Sequence, residues 1–506
     1  MKIRANITVF AALSLMLTAS FLFALLEAAR VRGLETCAAL VSRIGMESVC
    51  AEYQPGLWEQ YHLLYLDGAY GTDHFSMGNV TERMEQRVTE NLAKPDDGSN
   101  LLHLQFVQAQ PQEYTLAADG DGAAFLKQAA LYMKKSLPER VMKELYDNYQ
   151  EGRQVEESEG AEYSVEDADR ALREAKEAEQ GTEQEALPDE VPVEESGGGQ
   201  DVVAQETEGE VENPLELVLA LKENAILGMV VEDISELSSN QVSLKESVSK
   251  RQRQKGTGTE SETVRLDWED RVLILEYLDE CFCDYTEPKA AGALLYELEY
   301  VLCGKDSDRK NLEGAVNRLL FLREVANVTH ILSNSKKLNE ALTIATALAG
   351  FSGNPAVIKI VQIGIVAAWA YVESILDVRT LLAGGKIALL KNGQQWTADT
   401  ANLAGALQNH ARAKECDNGF SYQTYLKLFL FGMKTGKLAY RMMDVMEWAI
   451  RKVPEYANFR MDFMIGSLSY AYSYETRPLF SGLASIGRGK PAGYVFETEK
   501  QFSYME

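Results

Sequence analysis

The feature that most constrains this chain is an uncharged apolar run at residues 7–26, which reads ITVFAALSLMLTASFLFALL. A helix of this length can cross the roughly 30 Å hydrocarbon core of a bilayer. Lys2 and Arg4 precede the run, Glu27 and Arg30 follow it, and positive residues beside a span favour the cytoplasmic side. We therefore expect a single-pass cell-membrane protein with a cytoplasmic N-terminus and most of the chain outside the cytoplasm.

The helix is expected to continue beyond the apolar run. Apolar residues recur at helical spacing through Leu34, Ala38 and Val49, and no proline occurs before Pro55. This pattern predicts one anchor helix within residues 1–53, apolar in its first half and amphipathic in its second. The alternative is a cleaved signal peptide, whose apolar region usually has 7–15 residues and ends at a small-x-small cleavage site. The longer run here, which continues into Glu-Ala-Ala-Arg, favours an uncleaved anchor.

Charge is distributed unevenly along the chain. The net charge is −26, and residues 151–213 hold 22 acidic side chains against four basic ones. Without a hydrophobic stripe, this segment is expected to be an acidic disordered or transiently helical insertion between residues 54–150 and a main domain at 214–506. The polar residues 247–263 are expected to form an exposed loop. No basic face is evident, so nucleic acid is not expected as a partner.

The pattern of apolar residues predicts an α+β fold, with a long N-terminal transmembrane, pilin-like helix and a helix-rich globular domain containing an antiparallel sheet. Two strands joined near Pro111 are expected at 101–118, and single strands at 292–302, where Leu and Tyr alternate with Glu, and in the tail at 459–476 and 493–505. Helices are expected at 264–282, 309–332, 336–349, 354–382, 421–432 and 435–452. The helix at 354–382 contains thirteen uncharged residues from Ile360 to Val372, which are too few to span a bilayer. It is therefore expected to be a buried core helix, with a second span as the alternative.

The sequence contains no recognisable catalytic or nucleotide-binding motif, so we expect no catalytic residue and no cofactor. Its histidines and cysteines lack metal-ligand spacing, so no metal site is expected either. One charge cluster, Glu373, Asp377 and Arg379, lies on the apolar helix, where unpaired charges are costly. It is interpreted as a structural ion network with Arg318, Arg323 or Arg379, and a functional site is the alternative. Glu297 and Glu299 are interpreted as the solvated or arginine-paired polar face of a half-buried strand, with acid–base chemistry of the paired carboxylates as the alternative.

Several blocks of the sequence resemble an uncharacterised bacterial family of membrane-anchored proteins associated with Tad-type pilus loci. These blocks are the opening ANITVFAALSLMLTASFLFALLEAARVRG, the run from Cys50 to Asp67, residues 296–328 and 369–391, and the pairing of Tyr440-Arg-Met-Met-Asp444 with Asn458-Phe-Arg460. The N-terminus is similar to TadE/TadG-like pseudopilins. Thr8 stands near the position where TadE-like proteins tend to have a glutamate, and no glycine precedes the run. The resemblance therefore implies a minor or tip component.

Two hypotheses follow from these observations. The first is a membrane-anchored, non-enzymatic structural or assembly component, minor pseudopilin-like, whose partners are other proteins of a Tad-type pilus or secretion apparatus. The alternative is an anchored extracytoplasmic hydrolase or ligand-binding protein with a carboxylate site near Glu373 and Asp377. A deep pocket holding these carboxylates would favour the alternative, and a solid core around them would favour the first.

Overall fold

A computed structural model of the chain describes residues 2–92, 103–157, 165–183, 213–258, 264–288, 292–400, 403–407, 410–480 and 493–505. The described chain forms two compact units, each built from segments that are distant in sequence. Unit 1 comprises Met1–Leu137, Leu244–Tyr277 and Lys434–Glu506, and unit 2 comprises Pro138–Ser243 and Leu278–Met433. This interleaving differs from the linear division into 54–150 and 214–506, because elements far apart in sequence pack into each unit.

Unit 1 contains the sheet and the N-terminal helix. Its helices are α1 (Lys2–Cys50), α2 (Pro55–Tyr61), α3 (Met77–Leu92), α4 (Ala123–Met133), α9 (Trp268–Cys281, of which the residues up to Tyr277 belong here) and α16 (Thr435–Arg451). Its strands are β1 (Leu66–Asp67), β2 (Gln105–Leu116), β3 (Met464–Thr476) and β4 (Tyr494–Ser503). Strand β3 is central and pairs antiparallel with β1, β2 and β4. The fold class expected from the sequence, helix-rich α+β with an antiparallel sheet, is confirmed.

The two halves of α1 have different surroundings. The side chains of the apolar half are exposed, for example Leu13 at 60% and Leu17 at 73%. The second half buries one stripe (Leu34, Ala38, Val41, Met46 and Val49) in a core shared with α3 and β3. At Gly45 an added Cβ would lie 2.6 Å from Val88 Cγ2, so glycine permits the close approach of α1 and α3.

Tyrosines on β3 join the sheet to these helices. Tyr470, Tyr472 and Tyr474 alternate along the strand and are buried, as expected for side chains on one face of a strand. The hydroxyl of Tyr474 is 2.6 Å from Ser42 Oγ on α1, and that of Tyr470 is 3.0 Å from Thr81 Oγ1 on α3. The C-terminal part of the chain therefore fixes the amphipathic half of α1 by both packing and hydrogen bonds.

Unit 2 is built around one long apolar helix. Its helices are α5 (Glu139–Glu157), α6 (Val165–Glu183), α7 (Pro214–Lys222), α8 (Ile226–Val230), α10 (Glu297–Cys303), α11 (Asp308–Ser333), α12 (Ser335–Ala349), α13 (Pro355–Leu382), α14 (Leu403–Leu407) and α15 (Tyr422–Phe431). Helix α13 contacts α6, α7, α8, α11, α12 and α14 and is buried almost continuously from Val361 to Leu382. The prediction of a buried core helix at 354–382 is therefore confirmed.

Two parts of the segment expected to be a disordered or transiently helical insertion form helices, residues 151–157 at the end of α5 and the whole of α6. Residues 165–183 form α6, whose Val165, Ala168 and Leu172 lie on one face and are buried. An added Cβ on Gly364 of α13 would lie only 2.2 Å from Ala168 Cβ, so the two helices meet through small residues. A stripe of this kind carries little hydropathy, and the expectation of disorder was therefore wrong for α6. Residues 158–164 and 184–212 lie outside the described residues.

Two further expectations are corrected. Residues 297–303 form helix α10 rather than a strand, because Leu298, Val301 and Leu302 pack at helical spacing and Gly304 ends the helix with a φ of 68°. The segment at 247–263 is not wholly an exposed loop. Within its described part, the side chain of Arg251 is buried and pairs with Glu447 and Asp462, and its guanidinium lies 2.6 Å from Glu447.

The described part of the region at 101–118, which begins at residue 103, forms one strand, β2, rather than two. Its register with β3 shifts at three places, one of them between Pro111 and Tyr114, where proline has no N–H to donate to the ladder. The expected helices at 264–282, 309–332, 336–349, 421–432 and 435–452 are all present, as are the two tail strands.

Candidate functional site

The two carboxylates of α13 meet in a buried ion network. Glu373 and Asp377 are one helical turn apart, and both are completely buried. The ammonium group of Lys391 contacts both carboxylates. Arg323 of α11 donates its Nε–H to Asp377 Oδ2 at 3.0 Å. Two cations thus balance two anions, which is the condition under which buried charges are tolerated.

The remaining hydrogen-bonding capacity of Glu373 is also used. Its Oε2 accepts the backbone N–H of Ala398 at 2.6 Å and that of Thr397 at 3.2 Å. Arg323 donates its Nη1 to the carbonyl oxygens of Ala388 and Leu389, at 2.9 and 2.7 Å. The network therefore holds the irregular segment 388–398 against α11 and α13.

Aromatic rings lie beside this network. The ring centroids of Trp369 and Trp396 are 5.6 Å apart and nearly perpendicular, and the indole N–H of each donates to Ala398 O. Lys337 Nζ lies 4.0 Å from each ring centroid, a cation–π arrangement, and burial lowers the pKa of Lys337 to about 8. Glu373 and Asp377 therefore lie in a solid core, the arrangement that favours a structural role.

The third member of the expected cluster, Arg379, lies elsewhere. Its Nε donates to Met229 O at 2.7 Å, and its Nη1 donates to Leu407 O and Ala411 O at 3.2 Å. It lines a cavity of about 490 Å³ within unit 2, which we call the Arg379 cavity. The sequence grouping of Arg379 with the two carboxylates is therefore wrong, because the side chains leave α13 in different directions.

The Arg379 cavity combines charged, aromatic and apolar groups. Its other lining residues are Val230, Val231, Glu232, Asp233, Glu236, Leu237, Ser238, Tyr285, Thr286, Pro288, Leu295, Tyr296, Leu382, Ala383, Gly384, His410 and Arg412. Arg379 is nearly buried, whereas Glu232, Asp233 and Glu236 are exposed. The cavity therefore has a cationic interior and an acidic mouth. Periodicity did not reveal it, because its walls come from loops between helices.

Glu297 and Glu299 are buried in the first turn of α10. Glu297 accepts the backbone N–H of Cys283 at 3.1 Å, and Glu299 accepts that of Tyr285 at 3.0 Å and the hydroxyl of Tyr422 at 2.8 Å. Burial, reinforced by the nearby negative charge of Asp284, raises the pKa of Glu299 to about 8. The pair fastens the 283–285 loop, and it does not form the solvated face expected of a strand.

The flanks of the apolar run are partly described. Arg30 pairs with Glu27 at 2.8 Å and donates to Thr476 Oγ1 at 2.7 Å, and Glu27 accepts the backbone N–H of Phe480 at 2.9 Å. Glu27 and Arg30 are therefore buried against the end of β3. The side chains of Lys2 and Arg4 lie outside the described part of the chain.

No group of three or more His, Cys, Asp or Glu side chains that could hold a metal ion occurs among the described residues.

Comparison with known proteins gives one relationship. No curated protein and no solved structure matches the chain. Residues 204–476, more than half of the chain, match the model of a family described as "Family of unknown function (DUF5702)", and the chain belongs to that family.

Proposed function

We propose that the chain is a single-pass, membrane-anchored, non-enzymatic structural component of an extracytoplasmic assembly, minor pseudopilin-like, in a Tad-type pilus or secretion apparatus. The observation that carries this proposal is the continuity of α1. One helix contains an exposed apolar half, long and apolar enough to span a membrane, and an amphipathic half buried against an antiparallel sheet. A rigid helix that enters the core of a folded unit transmits position from the bilayer to that unit.

The transition between the two halves supports the same function. The ion pair of Glu27 and Arg30 follows the last apolar residue of the run and is bonded to the end of β3. Phe480 follows the end of β3, and its ring stacks on that of Phe23 with a centroid distance of 6.3 Å. The sheet is therefore fastened to α1 at the point where the helix would leave the lipid. Lys2 and Arg4 favour a cytoplasmic N-terminus by the positive-inside rule.

The alternative, a hydrolase or ligand-binding protein acting through Glu373 and Asp377, has less support. Both carboxylates are paired with cations and enclosed by protein, whereas a catalytic carboxylate must reach a substrate. The assignment to a Tad-type apparatus rests on the sequence resemblance. The long helix packed on an antiparallel sheet is compatible with it.

Membrane anchoring is tested by placing charge in the exposed apolar half of α1. In the full-length chain, Leu13→Lys with Leu17→Lys is expected to move the protein from the carbonate-resistant membrane fraction to the soluble fraction. On insertion scales each central lysine costs about 2.5–3.5 kcal/mol. Leu40→Lys is the matched control, since Leu40 is 50% exposed on the same helix but outside the run. A double variant that stays in the membrane would contradict the anchor.

The role in assembly is tested in the source bacterium. Deletion of the gene is expected to reduce surface pili or secretion, and complementation by the wild type, but not by the Leu13→Lys/Leu17→Lys chain, should restore them. Glu373→Gln chains that fold but fail to complement, together with a hydrolytic activity lost in the same variant, would favour the alternative function. Unchanged pili and secretion after deletion would contradict the proposed role.

A further inference from the structure

The Arg379 cavity contains a buried cation that pairs with no carboxylate among the described residues. Arg379 is only 9% exposed, and its described partners are the carbonyl oxygens of Met229, Leu407 and Ala411. These bonds use Nε and Nη1, and the second amino group, Nη2, donates to no described residue. Burial also lowers the pKa of Arg379 below its ordinary value. Carbonyl dipoles relieve only part of the cost of burying this charge, so the position favours an anionic group at Nη2.

The mouth of the cavity has the opposite character. Glu232, Asp233 and Glu236 are exposed there, and Glu232 is paired with Arg412 at 2.6 Å. Asp233 Oδ1 accepts from the backbone N–H and the hydroxyl of Ser235. Burial raises the pKa of Tyr285, and the negative charges of Glu236 and Glu232, which line the same cavity as this ring, raise it further. An acidic group beside an aromatic face is a favourable position for an ammonium group.

The size and walls of the cavity limit the ligand further. Its volume of about 490 Å³ lies within the range of small-molecule pockets, roughly 300–1,000 Å³. Leu237, Leu295 and Leu382 give the walls an apolar portion. A multiply charged anion would be repelled at the acidic mouth, whereas a molecule with one anionic and one cationic end matches both regions.

We propose that the Arg379 cavity binds a small zwitterion of the amino-acid or short-peptide class, with its carboxylate on Arg379 and its ammonium group facing Glu236 and Tyr285. The carboxylate completes the hydrogen bonding of the guanidinium. The ammonium is held by the acidic mouth, and an apolar side chain contacts the leucines of the wall. This site does not depend on the anchoring role of α1, and either proposal can fail alone.

The ligand class is tested by calorimetry on the full-length protein in detergent micelles, with L-leucyl-L-leucine as the probe. Two analogues separate the charged ends, leucyl-leucinamide without the carboxylate and N-acetyl-leucyl-leucine without the ammonium. We expect the dipeptide to bind, the amide to bind at least 10-fold more weakly, and the acetylated form to bind several-fold more weakly. No binding of the dipeptide, or equal binding of the dipeptide and its amide, would overturn the proposal.

Variants at the two ends of the site complete the test. Arg379→Met is expected to abolish binding, but it also removes bonds to three carbonyls, so its fold is checked by thermal melting. Glu236→Gln changes an exposed residue and is expected to weaken dipeptide binding several-fold while leaving binding of the acetylated form unchanged. Glu313→Gln, an exposed residue that does not line the cavity, is the matched control. If Glu236→Gln leaves dipeptide binding unchanged, the zwitterion assignment is wrong and the cavity is a simple carboxylate site.

Discussion

Two helices of the described chain, α1 and α13, could cross a membrane if only length and mean hydropathy are considered, although the uncharged part of α13 is short, and their surroundings differ completely. In the most apolar 18-residue stretch of α1 no residue is buried, whereas in the corresponding stretch of α13 61% of the residues are buried. Residues 7–26 of α1 carry no charge, while α13 carries Glu373 and Asp377, each with a cationic partner in the protein interior. Length and hydropathy alone do not distinguish a membrane span from a core helix. The charged side chains of α13, which have partners inside the protein, identify it as a core helix.

The largest expected difference between the two helices is in the effect of removing an aromatic side chain on the free energy of unfolding. Trp369→Ala on α13 deletes a buried indole and its hydrogen bond to Ala398, and should lower the free energy of unfolding by about 3–5 kcal/mol. Phe21→Ala on α1 removes a side chain that is 64% exposed and should leave this free energy nearly unchanged. Denaturant unfolding of the full-length protein in micelles measures both. Equal effects would show that α13 is not a core helix.

Removing a cation from the ion network should have an effect of similar size. Lys391→Met leaves Glu373 and Asp377 buried with only Arg323 as a counterion, and breaking a buried pair in this way costs about 3–5 kcal/mol. Lys386→Met, at an exposed position just before the segment 388–398, is the matched control and should be nearly neutral. An unfolding curve for Lys391→Met that coincides with the wild type would show that the network contributes nothing to stability.

Glycine-to-alanine substitutions should have opposite signs in the two helices. A Cβ at Gly364 of α13 would lie 2.2 Å from Ala168 Cβ, so Gly364→Ala should destabilise unit 2 by about 1–3 kcal/mol through overpacking. Gly33 of α1 has open space around the same position, and Gly33→Ala should stabilise by about 0.5–1 kcal/mol. Thermal melting of both variants gives the signs. A stabilising Gly364→Ala would mean that α6 does not pack on α13.

Glu299 sharpens the comparison because, unlike Glu373, it has no cationic partner among its described contacts. Burial raises its pKa to about 8 from an ordinary 4.5, so between these values the folded chain binds more protons than the unfolded one. Its contribution to stability is therefore complete below about pH 4.5 and declines as the pH rises to about 8. Glu299→Gln imitates the protonated acid, and its unfolding free energy should exceed that of the wild type at pH 9 by on the order of 2 kcal/mol.

The same comparison at pH 5 should show little difference between Glu299→Gln and the wild type. Glu313→Gln, at an exposed site, should follow the wild type at both values. If the Glu299→Gln curve is parallel to that of the wild type between pH 5 and pH 9, this carboxyl is ionised in the folded chain and the assigned pKa is wrong.

Local patterns were sufficient for most of the fold. Helices α11, α12, α13, α15 and α16 and the two tail strands follow from the local pattern of apolar residues, which form a periodic stripe in α11, α12 and α16 and a nearly continuous run in α13. Period-2 alternation misidentified α10, since Glu297 and Glu299 are buried by bonds to a preceding loop rather than exposed on a strand. Arg251 was missed because its partners, Glu447 and Asp462, are about 200 residues away in sequence. Contacts over such distances leave no local signal.

The candidate site was only partly predictable for the same reason. The i, i+4 spacing of Glu373 and Asp377 on an apolar helix was enough to predict a structural network, and Arg323 was among the expected partners. Lys391 was not among the expected partners, because it belongs to an irregular segment whose position is set by tertiary contacts. The Arg379 cavity is assembled from the end of α13 and from segments before α9, between α9 and α10, and after α13, a combination that no single stretch of sequence reveals.

The most direct test of the anchoring role is the N-terminal sequence of the protein recovered from the membrane fraction of its own cells. If α1 is a retained anchor, the chain begins before residue 7 and keeps the whole apolar run. The full-length protein then stays in the membrane fraction when the membranes are extracted with alkaline carbonate. A mature chain that begins after Leu26 would show that the run is a cleaved signal peptide, and would contradict the membrane-anchored function proposed here.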